Sequence, residues 1–257
     1  MKKIIIFILI LYSVAYGMEG PDFMLIGRNY ITDPHAFNMC SSSPEDNGFR
    51  ISLDNASLYG INSLDWLYAG AGYSNRNWTF CSSFKSYGID NLYESTAYSV
   101  IIHRQLISHL SLGAGLEHRQ KTFGDNLCSH RSTSLSIDFG LKFSQVYFDA
   151  IISNLAIADH NKLIDGDPES ILSGNWLAND ALTIYAAYYR DNRGHDRLMA
   201  GQDLLLHESF IINAGFLSSP EVYFFGVEVV YKRFKFSYNF YDISGLSDCS
   251  KVALSFR

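Results

Sequence analysis

The sequence predicts an all-β protein, a transmembrane antiparallel up-and-down β-barrel of about 12–14 strands with a short plug-like or loop segment at its N-terminus. Three observations predict this fold. The chain begins like a secreted protein, many later segments alternate apolar and polar residues, and no later apolar run could form a membrane-spanning helix. Each strand then has one apolar face, which membrane lipid can cover where no second protein layer does.

Residues 1–17 are predicted to be a secretory signal peptide. Lys2 and Lys3 precede an apolar run from Ile4 to Val14, and the small residues Ala15 and Gly17 follow. This is the order of charged region, apolar core and cleavage site in such signals. The run is too short to cross a bilayer as a helix. We therefore predict export of the mature chain and residence in the cell outer membrane.

The mature chain is predicted to be one barrel domain with a preceding segment. Residues 18–60 show a weak pattern with turn residues such as Asp33-Pro34. The sequence leaves open whether they form a plug or the first strands. Residues 61–257 carry the outer-membrane barrel, and nothing in them has the composition of a linker.

Strict alternation marks the strands most clearly in the C-terminal half. In residues 225–231 and 234–241 every second side chain is apolar. Residues 135–143 show the same pattern, with Ser136 and Asp138 on the polar side. A period of two fits a pleated strand and no helix. Counted in this way, about twelve strands follow residue 60: 63–73, 78–84, 92–104, 106–118, 134–143, 146–153, 181–190, 196–206, 209–216, 225–231, 234–241 and 252–256.

The connections between these strands alternate in length. Short turns are predicted near residues 74, 105, 144, 207 and 233, and longer loops near 87, 124, 165 and 245. Residues 154–179 lack alternation and are predicted to be one long loop. Outer-membrane barrels have short periplasmic turns and longer outer loops, so the asymmetry favours this class; segments before residue 61 could raise the strand count to about fourteen.

The amino-acid composition restricts the classes of partner that we expect. Asp and Glu number 26 against 20 Lys and Arg, so a nucleic-acid partner is not expected, because phosphate binding needs a basic surface. Aromatic residues make up 15% of the chain, which suits the aromatic girdles of a membrane barrel. The cysteines Cys40, Cys81, Cys128 and Cys249 are scattered, and their pairing cannot be deduced from the sequence.

The polar sides of the predicted strands should face the lumen. Charges of both signs there could line a water-filled path, or pair with one another and close it. For a barrel of this size we predict a lumen that is at least partly plugged. The residues predicted to line it are Asp138, Lys142, Asp149, Glu228, Lys232, Lys235 and Asn239.

No catalytic motif occurs in the context that it needs: there is no nucleophile elbow, zinc-binding helix, P-loop or dinucleotide fingerprint. His103, Ser111 and Asp138 could combine as a hydrolase site. We expect them instead to be ordinary lumen residues, and we predict a non-enzymatic protein without a cofactor.

Two groups of residues could hold a metal ion if their side chains converged. Zinc needs ligands held at fixed distances, and calcium needs six to eight oxygens. We predict no metal site, because strand spacing alone does not bring the histidines together and the acidic loop lacks EF-hand spacing. The two groups are His103, His109, His118 and His130, and Asp159, Asp165, Asp167 and Glu169.

Two stretches carry a family resemblance. The segments Phe236-Ser237-Tyr238-Asn239-Phe240, Gly245-Leu246-Ser247 and Val252-Ala253-Leu254-Ser255-Phe256 resemble the closing hairpin of the PorV/PorQ group of FadL-like outer-membrane barrels. Asp54-Asn55-Ala56-Ser57-Leu58 is similar to an early motif of that group. The resemblance covers the layout of residues 50–257. It implies a barrel of about fourteen strands in a Gram-negative outer membrane, in a group that takes up hydrophobic compounds or serves type IX secretion.

The sequence thus predicts a non-enzymatic outer-membrane barrel with one of two roles. It is either an accessory component of protein export, similar to type IX secretion, or a passage for small hydrophobic solutes. Its partners would be outer-membrane lipid, together with secretion or surface proteins or hydrophobic small molecules. The alternatives are a secreted soluble β-sandwich that binds a ligand and a membrane-embedded lipid hydrolase.

Overall fold

The computed structural model describes residues 48–57, 64–75, 77–89, 92–124, 128–158, 168–190, 194–218, 221–243 and 248–256. In this part of the chain, 14 antiparallel strands form one closed barrel, in which each strand pairs with its neighbours in sequence and β14 pairs with β1. The strands are β1 Gly48–Ser57, β2 Leu64–Asn75, β3 Trp78–Ile89, β4 Tyr93–Ile107, β5 Leu110–Phe123, β6 Cys128–Phe143, β7 Val146–Ala158, β8 Glu169–Asn179, β9 Leu182–Arg190, β10 Asp196–His207, β11 Phe210–Ser218, β12 Glu221–Tyr231, β13 Phe234–Ile243 and β14 Cys249–Phe256.

The closed barrel confirms the predicted fold class, and a two-layer sandwich does not form. The signal peptide and residues 18–47 lie outside the described residues, so their predicted roles stay predictions. No helix in the described segments is long and apolar enough to cross a membrane.

The two ends of the barrel differ in their connections. Two-residue turns join β2–β3, β4–β5, β6–β7, β8–β9, β10–β11 and β12–β13 at one end, which we call the turn end. The connections at the opposite end, the loop end, vary in length, and the longest covers residues 159–168. Because short turns face the periplasm in outer-membrane barrels, the loop end faces outward.

Two of the strands were not in the count of twelve. β1 lies within residues 18–60, where first strands had been left open, and it closes the barrel. β8 lies within the predicted long loop 154–179, so that prediction was wrong. The alternation fails in β8 because Ile171 faces the interior and Leu172 faces outward, so both faces of the strand are apolar there.

The outer surface of the barrel is apolar. Phe139 is 38% exposed and Val229 44% exposed, whereas their neighbours Asp138 and Glu228 are buried on the interior side. Such a surface is stable in contact with lipid and unstable in contact with water. Aromatic side chains gather where the outer surface reaches the turn end, as expected for an interfacial girdle: Phe49, Tyr73, Trp78, Phe143, Trp176, Tyr231, Phe234 and Phe256.

The wall is not of even height. β4, β5 and β6 are 15, 14 and 16 residues long, whereas β9 and β11 have 9 and β14 has 8. The first residues of β6, 128–132, have no partner on β7, and the last residues of β7, 154–158, have none on β8. The additional length of β4–β6 therefore lies at the loop end. A bulge at Asn154, with φ of 57°, accompanies the register shift between β6 and β7.

Candidate functional site

The interior of the barrel is the candidate functional site, and its turn-end half is polar. All around the barrel, side chains that point inward from this half are buried. They belong to His103, Asp138, Asp149, Asn175, Asp203, Asn213, Glu228 and Ser237. Alternation along each strand turns these groups inward, because their sequence neighbours are the apolar residues that face lipid.

The structure places six of the seven predicted lumen residues on the interior side. Asp138, Asp149, Glu228 and Asn239 are buried, and Lys142 and Lys235 are partly exposed near the turn end. The seventh, Lys232, is exposed in the turn between β12 and β13, with φ of 56°. Its prediction was wrong because the alternation was extended by one residue beyond the end of β12 at Tyr231. Its Nζ atom instead lies 5.2 Å from the ring centre of Tyr231.

His103 and Asp138 meet across the strand that separates them. His103 on β4 and Asp138 on β6 are both register partners of Gly113 on β5. A Cβ atom on Gly113 would overlap the Asp138 carboxylate, so only glycine leaves room for that side chain to cross β5. The His103 Nε2 atom lies 3.3 Å from Asp138 Oδ1, which is an ion-pair distance although the angles are not those of a hydrogen bond. This contact bridges three strands of the wall.

A second bridge of the same kind joins β11 to β13. Asn213 and Asn239 are both register partners of Gly226 on β12. A Cβ atom at Gly226 would overlap Asn239 Oδ1 and would lie 2.6 Å from Asn213 Oδ1. The two amides therefore converge above the glycine. In both bridges a glycine provides the space in which polar side chains of the flanking strands meet.

One side of the interior carries an ion-pair network, which we call the charged wall: Lys85 on β3 with Glu117, Arg119 and Lys121 on β5. The side chains of Glu117 and Arg119 are 12% and 13% exposed. Glu117 lies 2.6 Å from Arg119 and 3.5 Å from Lys85. Lys121 is buried nearer the loop end of the same strand. Serines fill the interior positions around these charges, and Ser83 and Ser99 lie 2.6 Å apart in hydrogen-bond contact. A carboxylate shared by two cations offsets the cost of burying all three charges.

The barrel closes at another buried ion pair. Lys251 on β14 lies with its Nζ 3.5 Å from the Asp54 carboxylate on β1, and the two side chains are 1% and 5% exposed. On the next strand pair, Lys235 Nζ lies 3.8 Å from Glu228 Oε2. The Lys251–Asp54 pair thus crosses the seam between the first and last strands, where no hairpin turn holds the register.

The loop-end half of the interior contains an apolar surface away from the charged wall. We call it the apolar wall. It follows β7–β14 and β1–β3, and none of its described members lies on β4–β6. Trp66 and Tyr68 stack with ring centres 6.3 Å apart. Its buried members are Ala56, Leu64, Trp66, Tyr68, Ile89, Ile151, Ile171, Tyr185, Ala187, Tyr189, Met199, Leu217, Val222, Tyr241, Ile243 and Cys249.

Glycines on the interior side hold the large rings of the apolar wall close to the strands. The Tyr185 ring of β9 lies above Gly201 of β10, where an added Cβ would be 2.5 Å from the ring. The Phe224 ring lies above Gly215 in the same manner. Each ring therefore covers its neighbouring strand and extends less toward the barrel axis than it would above a larger residue.

Arg197 is the charged member of this region. It is buried near the start of β10, and its guanidinium lies 6.0 Å from the centre of the Tyr189 ring. A cation above the face of a tyrosine ring is favourable, and more so when water is excluded. Arg197 therefore places a positive charge beside the apolar wall, at its loop-end side.

His103, His109 and His118, three of the four histidines considered as an alternative metal site, do not converge. His103 faces the interior, His109 lies in the β4–β5 turn with Nδ1 3.0 Å from the Lys142 carbonyl, and His118 faces outward with Nδ1 3.1 Å from Thr133 Oγ1. No group of three or more His, Cys, Asp or Glu able to hold a metal occurs among the described residues. Of the acidic loop residues only Glu169 is described, and it begins β8.

The hydrolase candidates come together only in part. His103 and Asp138 meet, as described above. The Ser111 hydroxyl donates a hydrogen bond of 3.4 Å to the Gly140 carbonyl. In a catalytic triad the serine would pair with the imidazole nitrogen that accepts its proton, and the acid with the other nitrogen. Here it is Nε2 that faces Asp138.

The closed barrel, the apolar outer belt and the aromatic girdle define the class: this protein is an outer-membrane β-barrel. No family model matches the chain, and no curated protein matches it. Membership in the PorV/PorQ group therefore stays a prediction.

Among solved structures the chain is similar to porins. The KdgM porin, alone and in complex with disordered oligogalacturonate, has 10% sequence identity and a TM-score of 0.47, over 81% of this chain and 98% of that chain. A mutant of the Rh. blastica porin has 9% identity and a TM-score of 0.44, over 82% of this chain and 98% of that one. At this level the likeness concerns the fold alone.

Sequence reasoning missed most of the buried charges, because each was assessed as one polar position in an alternating strand. Lys85, Lys121, Arg197 and Lys251 all lie at inward-facing positions of strands that were predicted at least in part. The available signal was a long charged side chain at an inward position, since burying a charge requires a partner.

Proposed function

We propose that this protein is a passage for small hydrophobic solutes across the outer membrane. The observation that supports the proposal is the apolar wall. The interior of a membrane barrel is ordinarily polar, because lipid already covers the apolar side of every strand. An apolar interior surface is not needed for insertion. Its members are buried against one another, and a small apolar solute that entered among them would exchange water for apolar contacts.

The position of this surface suits entry from the outside. Its residues gather toward the loop end, as with Leu64 at the start of β2, Leu217 near the end of β11 and Ile243 at the end of β13. A solute that enters there would leave water for an apolar contact first and would meet the polar turn-end half second. Each Å² of apolar surface removed from water contributes about 25 cal/mol.

The first test measures binding at the apolar wall. The chain has 3 tryptophans, of which Trp66 faces the interior while Trp78 and Trp176 face outward. In the variant Trp78→Phe/Trp176→Phe, a small apolar quencher should reduce Trp66 fluorescence with saturation. The matched variant Trp66→Phe/Trp176→Phe should show only the non-saturating response of a tryptophan in contact with lipid.

The second test measures passage. Cells or vesicles with a lipopolysaccharide outer leaflet should take up an apolar fluorophore faster with the protein than without it. Leu217→Asp should remove the acceleration, and Leu198→Asn on the outer face should keep it. Equal uptake with and without the protein would refute the proposal.

The predicted export role has no described contact in its favour. It would gain support if the pure protein passed no solute and co-purified from native membranes with surface or secretion proteins. Hydrolysis of phospholipid, lost on His103→Ala, would instead support the hydrolase alternative.

A further inference from the structure

The outer surface of β10 has an amide in the middle of its apolar belt. The side chain of Gln202 is exposed on the lipid side of the strand. On the same side lie Leu198 and Ala200 toward the loop end, and Leu204 and Leu206 toward the turn end. The position is therefore well inside the membrane and not at either interface.

The cross-strand neighbours of Gln202 are also apolar. Its register partners are Ile184 on β9 and Ala214 on β11. No side-chain hydrogen bond or ion pair joins Gln202 to any residue within the described segments. A primary amide has two N–H donors and one carbonyl acceptor, and leaving them unpaired in hydrocarbon is unfavourable. Within the described segments this cost is unmet.

The side chains around Gln202 on the outer face are small, so the surface there is recessed. Ala186 and Ala200 are register partners on the outer face, and Ala214 lies directly beside Gln202. Larger side chains surround the three alanines, among them Phe216 and Leu198. Small residues let two protein surfaces approach closely in a membrane, and polar side chains there form hydrogen bonds between the surfaces.

We propose that the outer face of β9–β11 is a dimer interface, in which a second copy of this chain packs so that the two Gln202 amides hydrogen-bond to each other. A second copy fits better than a lipid chain, which offers neither donor nor acceptor. Two primary amides are self-complementary, and a two-fold axis places a residue opposite itself. The face made by Ala186, Ala200, Gln202 and Ala214 has no charge, so it does not select a charged partner.

The experiment measures association of the full-length protein in lipid vesicles over a range of protein-to-lipid ratios, by single-molecule counting of fluorophore bleaching steps. The wild-type protein should be dimeric at high ratios. Gln202→Leu should weaken association roughly three- to thirty-fold, the range for polar contacts between membrane segments. Ala214→Phe, which places a large side chain on this recessed surface, should weaken association as well.

The matched control is Ser82→Leu. Ser82 is exposed on the outer face of β3, across the barrel from β10, so this variant also replaces a lipid-facing polar group with leucine. It should leave association unchanged. A wild-type protein that stays monomeric at every ratio would overturn the proposal, and so would equal association of Gln202→Leu and the wild type. Loss of association in Ser82→Leu would place the interface elsewhere and would also refute it.

Discussion

The charged wall lies on β3 and β5, whereas the apolar wall follows the loop-end half of β7–β14 and β1–β3, and different interactions stabilise them. On the charged wall, Glu117 lies between Lys85 and Arg119, and each charge depends on its partner. On the apolar wall, residues such as Trp66 and Leu217 are buried among other apolar side chains and need no charged partner. The strands of both walls have the same lipid-facing exterior. An outer-membrane barrel therefore fixes its outer surface and leaves its interior free to differ from side to side.

The largest effect is expected from removing the shared carboxylate of the charged wall. Glu117→Leu leaves Lys85 and Arg119 in the barrel interior without their common partner, and the free energy of unfolding should fall by about 3–5 kcal/mol. The measurement is urea-induced unfolding in lipid vesicles. Glu94→Leu, at an exposed position, is the control and should have little effect. Equal stability of the two variants would mean that the network is not coupled.

Truncation of one side chain on the apolar wall should lower the free energy of unfolding by somewhat less. Leu217→Ala removes a side chain that is 3% exposed, with an expected loss of about 2–5 kcal/mol that depends on how far the cavity collapses. Leu198→Ala, 57% exposed on the outer face of β10, is the comparison, because lipid can fill the space that it leaves. If both variants lost the same stability, the apolar wall would not be a packed surface.

The next largest effect is expected from arginine substitutions on the two faces of one strand. Phe139→Arg puts a charge on the lipid side of β6 and should cost about 2–4 kcal/mol at the bilayer midplane, whereas Ser136→Arg on the interior side should cost much less. Insertion and unfolding must be measured in lipid, since detergent blurs the depth dependence. Similar costs at the two positions would contradict the assignment of faces.

The smallest of these effects concerns the amide bridge. Gly226→Ala places a methyl group where Asn213 and Asn239 converge, and this overpacking should cost about 1–3 kcal/mol. Gly174→Ala is the matched change, because its Cβ would meet the Phe148 ring at 3.3 Å and the ring can move slightly. The free energy of unfolding of the two variants should be compared by urea titration. If the amide bridge stabilises the barrel, the loss will be larger for Gly226→Ala than for Gly174→Ala.

The outer surface was predictable because it follows from local chemistry. A lipid-facing residue such as Phe139 or Phe236 needs only to be apolar and two positions from the next, so the sequence of one strand contains the whole signal. Predicted turns near residues 144 and 233 fall on two-residue turns for the same reason. β8 was missed where this rule fails, since Ile171 packs on the apolar wall and masks the alternation.

By itself, the sequence determined the all-β class, the two faces of the strands with clear alternation and the contact of the apolar face with lipid, because these depend on the period of two within single strands. Only the tertiary structure decided which inward side chains meet. Asp54 reaches Lys251 across the closing seam, and Asp138 reaches His103 across Gly113. Such contacts join residues far apart in sequence, and they depend on the register between strands, which the pattern within one strand does not contain.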